Sequence, residues 1–304
     1  MGKIVVASGW RYTDIDALAC AIAYKELLEK ERKNTIVLLP GVFNKSITNE
    51  VKKWDLDYET DYEPAETDKF VVVDLSEPDY ISPLVNQDRI IELYDHHFGH
   101  EDYWKKRLGK NAKIEKVGAC TTLIWEEFEK RLSPLKISTL SANLIYTAII
   151  SNTLNFKASV TTQRDKKAFE KIKQFTKLPE NWIEKYFEDQ EIEIFKNPQE
   201  AIINDTKKVG QELVIGQLEL WDSRRFLTTH LKDVEKALNS FGNEKWFLTT
   251  PSISEGINYI YTKHDEVKKL LGKIIGAKFK GDIGTTERLW LRKEILKKLL
   301  IGKL

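Results

Sequence analysis

Four short runs of β-branched and aliphatic residues constrain this chain more than any other feature: Lys3 to Ser8, Thr35 to Leu39, Phe70 to Leu75 and Ile90 to Tyr94. They are continuous rather than alternating. Both faces of each strand must therefore be covered by apolar material, as in a parallel sheet held between layers of helices. Between the first two runs, Asp16 to Lys30 places Leu18, Ala21, Ile22, Tyr24, Leu27 and Leu28 at helical spacing. Thr121 to Arg131, Ser138 to Ile150 and Thr162 to Lys177 read as further helices. The expected fold class is α/β, with a mostly parallel sheet covered by helices on both faces.

At 304 residues the chain exceeds one average domain. Residues 1–187 are expected to form the first domain, and 201–304 a second, smaller mixed α/β domain. Residues 188–200 are expected as the linker, because the pattern around Pro179 to Pro198 turns charged and irregular. The 48 basic and 47 acidic residues nearly cancel, so no global field attracts nucleic acid or an anionic membrane, and any polyanion must be gripped locally. No apolar run approaches the roughly 20 residues that span a bilayer. Cys20 and Cys120 are the only cysteines and lack metal-ligand spacing. A reducing cytoplasm is the expected location.

Parallel sheets bind ligands in the crevice beyond the carboxyl ends of their strands, and acidic residues fall there. Asp14 and Asp16 follow the first run, Asp74 ends the third, and Asp95-His96-His97 ends the fourth. Carboxylates with imidazoles and no thiolates suit Mn²⁺, Co²⁺ or Mg²⁺ rather than a structural zinc. One or two ions are expected. Asp74 is the candidate bridge, with Asp14 on one ion and Asp16 and His96 on the other. Such ions lower the pKa of a water and offset charge on a phosphoryl group under attack. His97 is left to hydrogen-bond a phosphate oxygen or protonate a leaving group, so Asp74 and His97 are the expected catalytic residues. Asp-x-Asp alone is common in turns and helix caps. The Asp-His-His run carries more weight, since three of the five histidines fall between 96 and 100.

These residues resemble the DHH phosphoesterase superfamily, and within it the branch of family II (manganese-dependent) inorganic pyrophosphatases and exopolyphosphatases. Tyr12-Thr13-Asp14-Ile15-Asp16-Ala17-Leu18-Ala19 is similar to the first motif, Val71 to Asp74 to the second and Asp95-His96-His97 to the third. Val117-Gly118-Ala119-Cys120-Thr121-Thr122 and Ala148 to Lys157 are similar to the turn and fourth motif that follow, with Thr161, Thr162 and Asp165 downstream. Asp205-Thr206-Lys207, Ile215-Gly216-Gln217 and Leu291-Arg292-Lys293-Glu294 resemble the DHH-associated domain. The resemblance implies hydrolysis of a phosphoanhydride, with pyrophosphate as the default substrate and polyphosphate or a nucleotide as the others. It implies substrate phosphate contacts at Lys207, Arg292 and Lys293, with His97 from the first domain, and it allows a homodimer.

Two positions depart from the family. Where pyrophosphatases carry a metal-ligating His, four residues before the first Asp, this chain has Trp10. Where the fourth motif supplies a ligating Asp, it has Asn152, which can ligate only through a neutral carbonyl. These departures keep two alternatives open: an exopolyphosphatase or phosphohydrolase of small nucleotides or phosphate esters, and a catalytically degraded protein that binds phosphorylated ligands. Trp10 can pack in the core, the commoner fate of an indole, or stack on a nucleobase at the mouth of the site. Arg11 beside it adds a candidate phosphate contact.

Overall fold

The computed structural model describes residues 2–132, 137–210 and 212–301. It divides into two compact units, one of residues 1–156 and 160–183, the other of 157–159 and 184–304.

The first unit runs β1 (Ile4–Ala7), β2 (Tyr12–Thr13), α1 (Ile15–Lys30), β3 (Thr35–Leu38), β4 (Val42–Phe43), β5 (Lys69–Val73), β6 (Ile90–Asp95), α2 (Glu101–Leu108), β7 (Ala112–Ile114), α3 (Thr121–Arg131), α4 (Thr139–Asn152) and α5 (Gln163–Ile172). Five of these strands form one all-parallel sheet in the order β3-β1-β5-β6-β7. Val5, Ala7, Phe70, Val72, Leu93 and the indole of Trp104 form a core on one face. Val6, Val71 and Val73 are equally buried and alternate to the other face. Helix α1 packs against β1, β3 and β5 and against α3 and α4. Its apolar residues surround it because protein covers it on nearly every side. The α/β class and the parallel sheet expected from the continuous runs are borne out.

The strand order reverses at β1: the chain leaves β1 for β3 on one side and then crosses to β5 on the other. The carboxyl ends of β1 and β5 therefore flank the topological switch point, where loops diverge and leave a crevice.

The stretch read as charged and irregular is helical. Helix α6 (Trp182–Lys196) and α7 (Pro198–Asn204) take up nearly all of residues 188–200. Trp182, Tyr186, Phe187, Glu191 and Ile194 are buried and recur at helical spacing. The acidic residues between them occupy the exposed face and mask that stripe in the sequence.

The second unit continues with β8 (Thr206–Val209), β9 (Leu213–Gln217), α8 (Ser223–Thr229), α9 (Leu231–Asn239), β10 (Lys245–Ser252), β11 (Ile257–Tyr261), α10 (Asp265–Ile275), β12 (Lys278–Lys280), β13 (Ile283–Thr285) and α11 (Arg292–Ile301). Its mixed sheet has the order β12-β13-β11-β10-β9-β8, with β9 and β10 parallel and the other pairs antiparallel. Trp246 and Leu248 face one core and Phe247 between them faces the other, so both faces of this sheet are also buried. Among the described residues, no helix is long and apolar enough to cross a membrane.

Candidate metal centre

The loop after β1 is anchored before it reaches its acids. Strand β2 pairs with β4, the Thr13 hydroxyl donates to Gly41 O, and a side chain at Gly41 would collide with the Tyr12 backbone at 2.6 Å. Asp14 caps α1 by accepting from Ala17 N at 2.9 Å. Two residues on, in the first turn of α1, Asp16 is wholly buried. Its Oδ2 accepts from Cys120 N (2.7 Å) and from Asn152 Nδ2 (2.5 Å), and its Oδ1 from Thr121 N (2.9 Å). Asp16 thereby ties α1 to the end of α4, through Asn152, and to the start of α3, where helix dipole and free N–H groups favour a carboxylate. Asn152, expected as a metal ligand, is engaged instead as a hydrogen-bond donor to Asp16.

Asp74 follows β5 in the left-handed region, at φ 56°, with its N–H on Tyr94 O. That conformation is uncommon outside glycine, tolerable for Asp, and recurs at functional sites. The Asp74 side chain is buried and its Oδ1 has no hydrogen-bond partner. His96 Nε2 lies 3.4 Å from that oxygen and 3.9 Å from Asp16 Oδ2. On its other side, His96 Nδ1 is 3.1 Å from Val117 O, a carbonyl that can only accept, so Nδ1 carries a proton and Nε2 is the ring nitrogen turned toward Asp74.

His97 is held the same way: its Nδ1 lies 2.8 Å from Asp95 Oδ1, which also accepts from His96 N at 2.7 Å. The His97 ring is 66% exposed, and a donor atom of it, with one each from Asp74 and His96, falls within a 4.8 Å cluster. The Asp95 hydrogen bond and charge hold the His97 imidazole above its ordinary pKa. Burial pushes the Asp95 carboxyl up, but the bond and charge of His97 outweigh it and leave Asp95 low.

Burial, then the charges of Asp16 and Asp14, push Asp74 well above the carboxylate range; burial likewise raises Asp16. Among the described residues no Lys or Arg pairs with Asp16, Asp74 or Asp95. An unpartnered buried carboxylate oxygen beside an imidazole nitrogen is a donor set that a divalent cation fits, since a cation would supply the positive charge the carboxylate lacks.

A supporting layer stands behind these residues. Asp165, also wholly buried, accepts from Gly118 N (2.8 Å), Ala119 N (3.3 Å), Thr122 Oγ1 (2.7 Å), and from Thr162 N and Oγ1 (both 2.7 Å). It shapes the turn that presents Val117 O to His96 and two N–H groups to Asp16. Gly118 has no room for a side chain, since a Cβ would lie 2.7 Å from Thr153 Cγ2 and 2.9 Å from Asp165 Oδ2. The motif resemblance named Asp165 and the Thr162-x-x-Asp165 capping box marked its helix start, but neither signalled its partners at 118, 119 and 122.

A cavity of about 440 Å³ opens beside the acids, with Asp14, Asp74 and His97 in its wall. Arg11 is exposed and also lines it. The remaining expected substrate residues belong to the second unit. Lys207 on β8 and Lys293 on α11 are exposed. Arg292 is mostly buried, its guanidinium paired with Asp205 Oδ1 at 2.5 Å and its N–H donating to Gln217 Oε1 at 2.5 Å. Its charge is thus already matched by a carboxylate.

No family-wide sequence model matches the chain. It is 25% identical over 291 residues to a probable manganese-dependent inorganic pyrophosphatase of Lactobacillus acidophilus, covering 89% of each chain. It is 24% identical over 304 residues to the manganese-dependent inorganic pyrophosphatase of Methanothrix thermoacetophila, covering 97% of this chain and 96% of that one. The crystal structure of a putative family II inorganic pyrophosphatase of Methanococcus jannaschii superposes with a TM-score of 0.62 at 21% identity, covering 97% of this chain and 98% of the other. The resemblance read from the motifs is borne out.

Proposed function

We propose that this chain, a relative of the manganese-dependent inorganic pyrophosphatases in the DHH phosphoesterase superfamily, is a Mn²⁺-dependent hydrolase of phosphoanhydrides. The observation that carries the reading is His96 Nε2 facing the unpartnered, buried Asp74 Oδ1 at 3.4 Å. Asp74 and His96 are the residues that would hold the ion, with Asp14 and Asp16 as neighbouring carboxylates. A bound divalent ion supplies Lewis-acid stabilisation of the phosphoryl oxygens and a lowered pKa for water.

The chain's own residues do the rest. Val117 O and Asp95 fix the two imidazoles, so neither ring pays to reorient when substrate arrives. With Nδ1–H on Asp95, His97 turns Nε2 outward, where it hydrogen-bonds a phosphate oxygen and holds a proton for the leaving phosphate. Arg11 on the cavity wall offers a forked donor to the same anion. In the second unit, Lys207 and Lys293 are the exposed cations assigned to phosphate, and Arg292 fixes the chain between Asp205 and Gln217 beside Lys207.

Phosphate release from pyrophosphate, polyphosphate and nucleotides, each with Mn²⁺, Co²⁺ and Mg²⁺, tests the reading. Release from a phosphoanhydride, fastest with Mn²⁺, is expected; none under any combination would overturn it.

A further inference from the structure

Four of the exposed aromatic residues of the first unit gather around the acids, while a fifth, Tyr103 on α2, does not line the cavity. Trp10 (42% exposed), Tyr12 (62%), Tyr80 (41%) and Phe98 (59%) stand on the three loops that supply the acids: the β1 exit before Asp14, the β5 exit six residues beyond Asp74, and the residue after His97. Tyr12, Tyr80 and Phe98 line the cavity of about 440 Å³ that also contains Asp14, Asp74 and His97. The rim is built: Trp10 N donates to Tyr80 O at 3.3 Å, its indole Nε1 to Asp79 O at 3.4 Å, and Gly9 bridges to Ile81. The Arg11 guanidinium lies 4.3 Å from the Tyr80 ring centre and 5.4 Å from that of Trp10. The indole at the position where the family has a metal-ligating His thus lies at the surface, not in the core.

Pyrophosphate and polyphosphate carry no apolar surface, so aromatic rings beside their phosphates would gain nothing by contact with them. Rings left in water beside a phosphate site are a standing cost unless a ligand covers them. A nucleobase has a π-face that stacks on aromatic side chains and on an arginine plane with little regard to sequence. A cavity of this size is in the range of small organic ligands rather than of a bare diphosphate.

We infer that this cavity is a nucleobase subsite and that the substrate is a nucleoside polyphosphate, its base on the Tyr12, Tyr80 and Phe98 rings that line it, and its phosphates at Asp74, His97 and Arg11. The inference rests on the phosphoanhydride reading above and names the substrate class for it. Water adds to one phosphorus, the anhydride P–O bond breaks, and the leaving phosphate takes the electron pair and a proton; nothing is oxidised or reduced.

The test uses the full Mn²⁺-loaded chain and two kinds of hydrolysis-resistant probe, imidodiphosphate and the β,γ-imido triphosphates of adenosine and guanosine, titrated by calorimetry. At least one nucleoside probe is expected to bind about tenfold more tightly than imidodiphosphate, the equivalent of one stacked base. Tyr80→Leu and Phe98→Leu should weaken the nucleoside probe about tenfold more than they weaken imidodiphosphate. Neither nucleoside probe binding more tightly, or both variants weakening all probes alike, would overturn the inference. A rim variant that dissolves a dimer in sedimentation without altering nucleotide affinity would also overturn it, by showing that the rings cover a second copy of the chain. Tight nucleoside binding with no phosphate release from any substrate would keep the subsite and remove the hydrolase. Fast pyrophosphate turnover without nucleoside preference would do the reverse.

Discussion

Asp16 and Asp74 sit within reach of the same His96 ring, both buried and both with carboxyls raised by burial, yet their surroundings answer that burial in opposite ways. Asp16 is surrounded by donors from α3 and α4, while Asp74 keeps an oxygen with no partner. A buried carboxylate must be compensated by hydrogen bonds or by a cation. The first edge of the site uses the former and belongs to the folded chain alone. We propose that the second edge is left for a metal.

The largest effect that would break this contrast is at Asp74. Asp74→Ala is expected to lower Mn²⁺-dependent turnover by roughly 10³-fold or more and to abolish the rise in Tm on adding Mn²⁺. The metal-free protein should lose little stability, since removal of a buried unfavourable group offsets the strain of Ala at φ 56°; calorimetric scans with and without Mn²⁺ check this. Asp16→Ala should do the opposite. It leaves Cys120 and Thr121 N–H groups unsatisfied and should cost the metal-free protein about 3 kcal/mol in urea unfolding. An Asp16→Ala protein as stable as the parent would sink the contrast.

A third buried carboxylate sharpens it. Glu191 on α6 accepts from Trp221 N and Asp222 N at the start of α8, with no metal ligand near it in sequence. Burial pushes its carboxyl up to about 7, against those two donors. Its folded pKa lies above the ordinary value, so its contribution to stability is full below about pH 4.5 and is lost as pH rises through about 7. Glu191→Gln should remove a loss of roughly 2 kcal/mol between pH 5 and 9, read as a flatter pH dependence of the urea midpoint. An unchanged slope would show that two backbone donors suffice to compensate Glu191.

The smallest change converts one edge into the other. Asn152→Asp replaces the donor 2.5 Å from Asp16 Oδ2 with a second acceptor. The metal-free protein should lose stability at neutral pH, and Mn²⁺ should bind about tenfold more tightly by calorimetry, a change of ~1.4 kcal/mol. Unchanged affinity would place Asn152 outside the ion's reach.

The parts legible in the sequence were those written locally. The continuous apolar runs announced β1, β3, β5 and β6, and helix α3 begins and ends where its periodicity does. The acids were found because strand ends mark one rim of a parallel sheet. Strand β7 was missed because three residues, Ala112–Ile114, carry no pattern. Helix α6 was missed because its acidic face dominates the reading. Partners of side chains were illegible for a simpler reason: Asn152 lies 136 residues from Asp16, and Asp165 lies 47 from Gly118. Composition names the donors and acceptors of a site, but only the fold decides which are already spent on each other. The aromatic rim was glimpsed at Trp10 alone, because Tyr80 and Phe98 sit in loops without a period to betray them.

Asp165 sets the smallest piece of this protein that could be moved elsewhere. Transplanting the two acidic motifs and the histidine pair onto another parallel sheet would carry the ligands but leave His96 free to spin. A graft would have to bring residues 117–122 and 162–165 as one cassette, with Gly118 intact, before the donor atoms pointed inward.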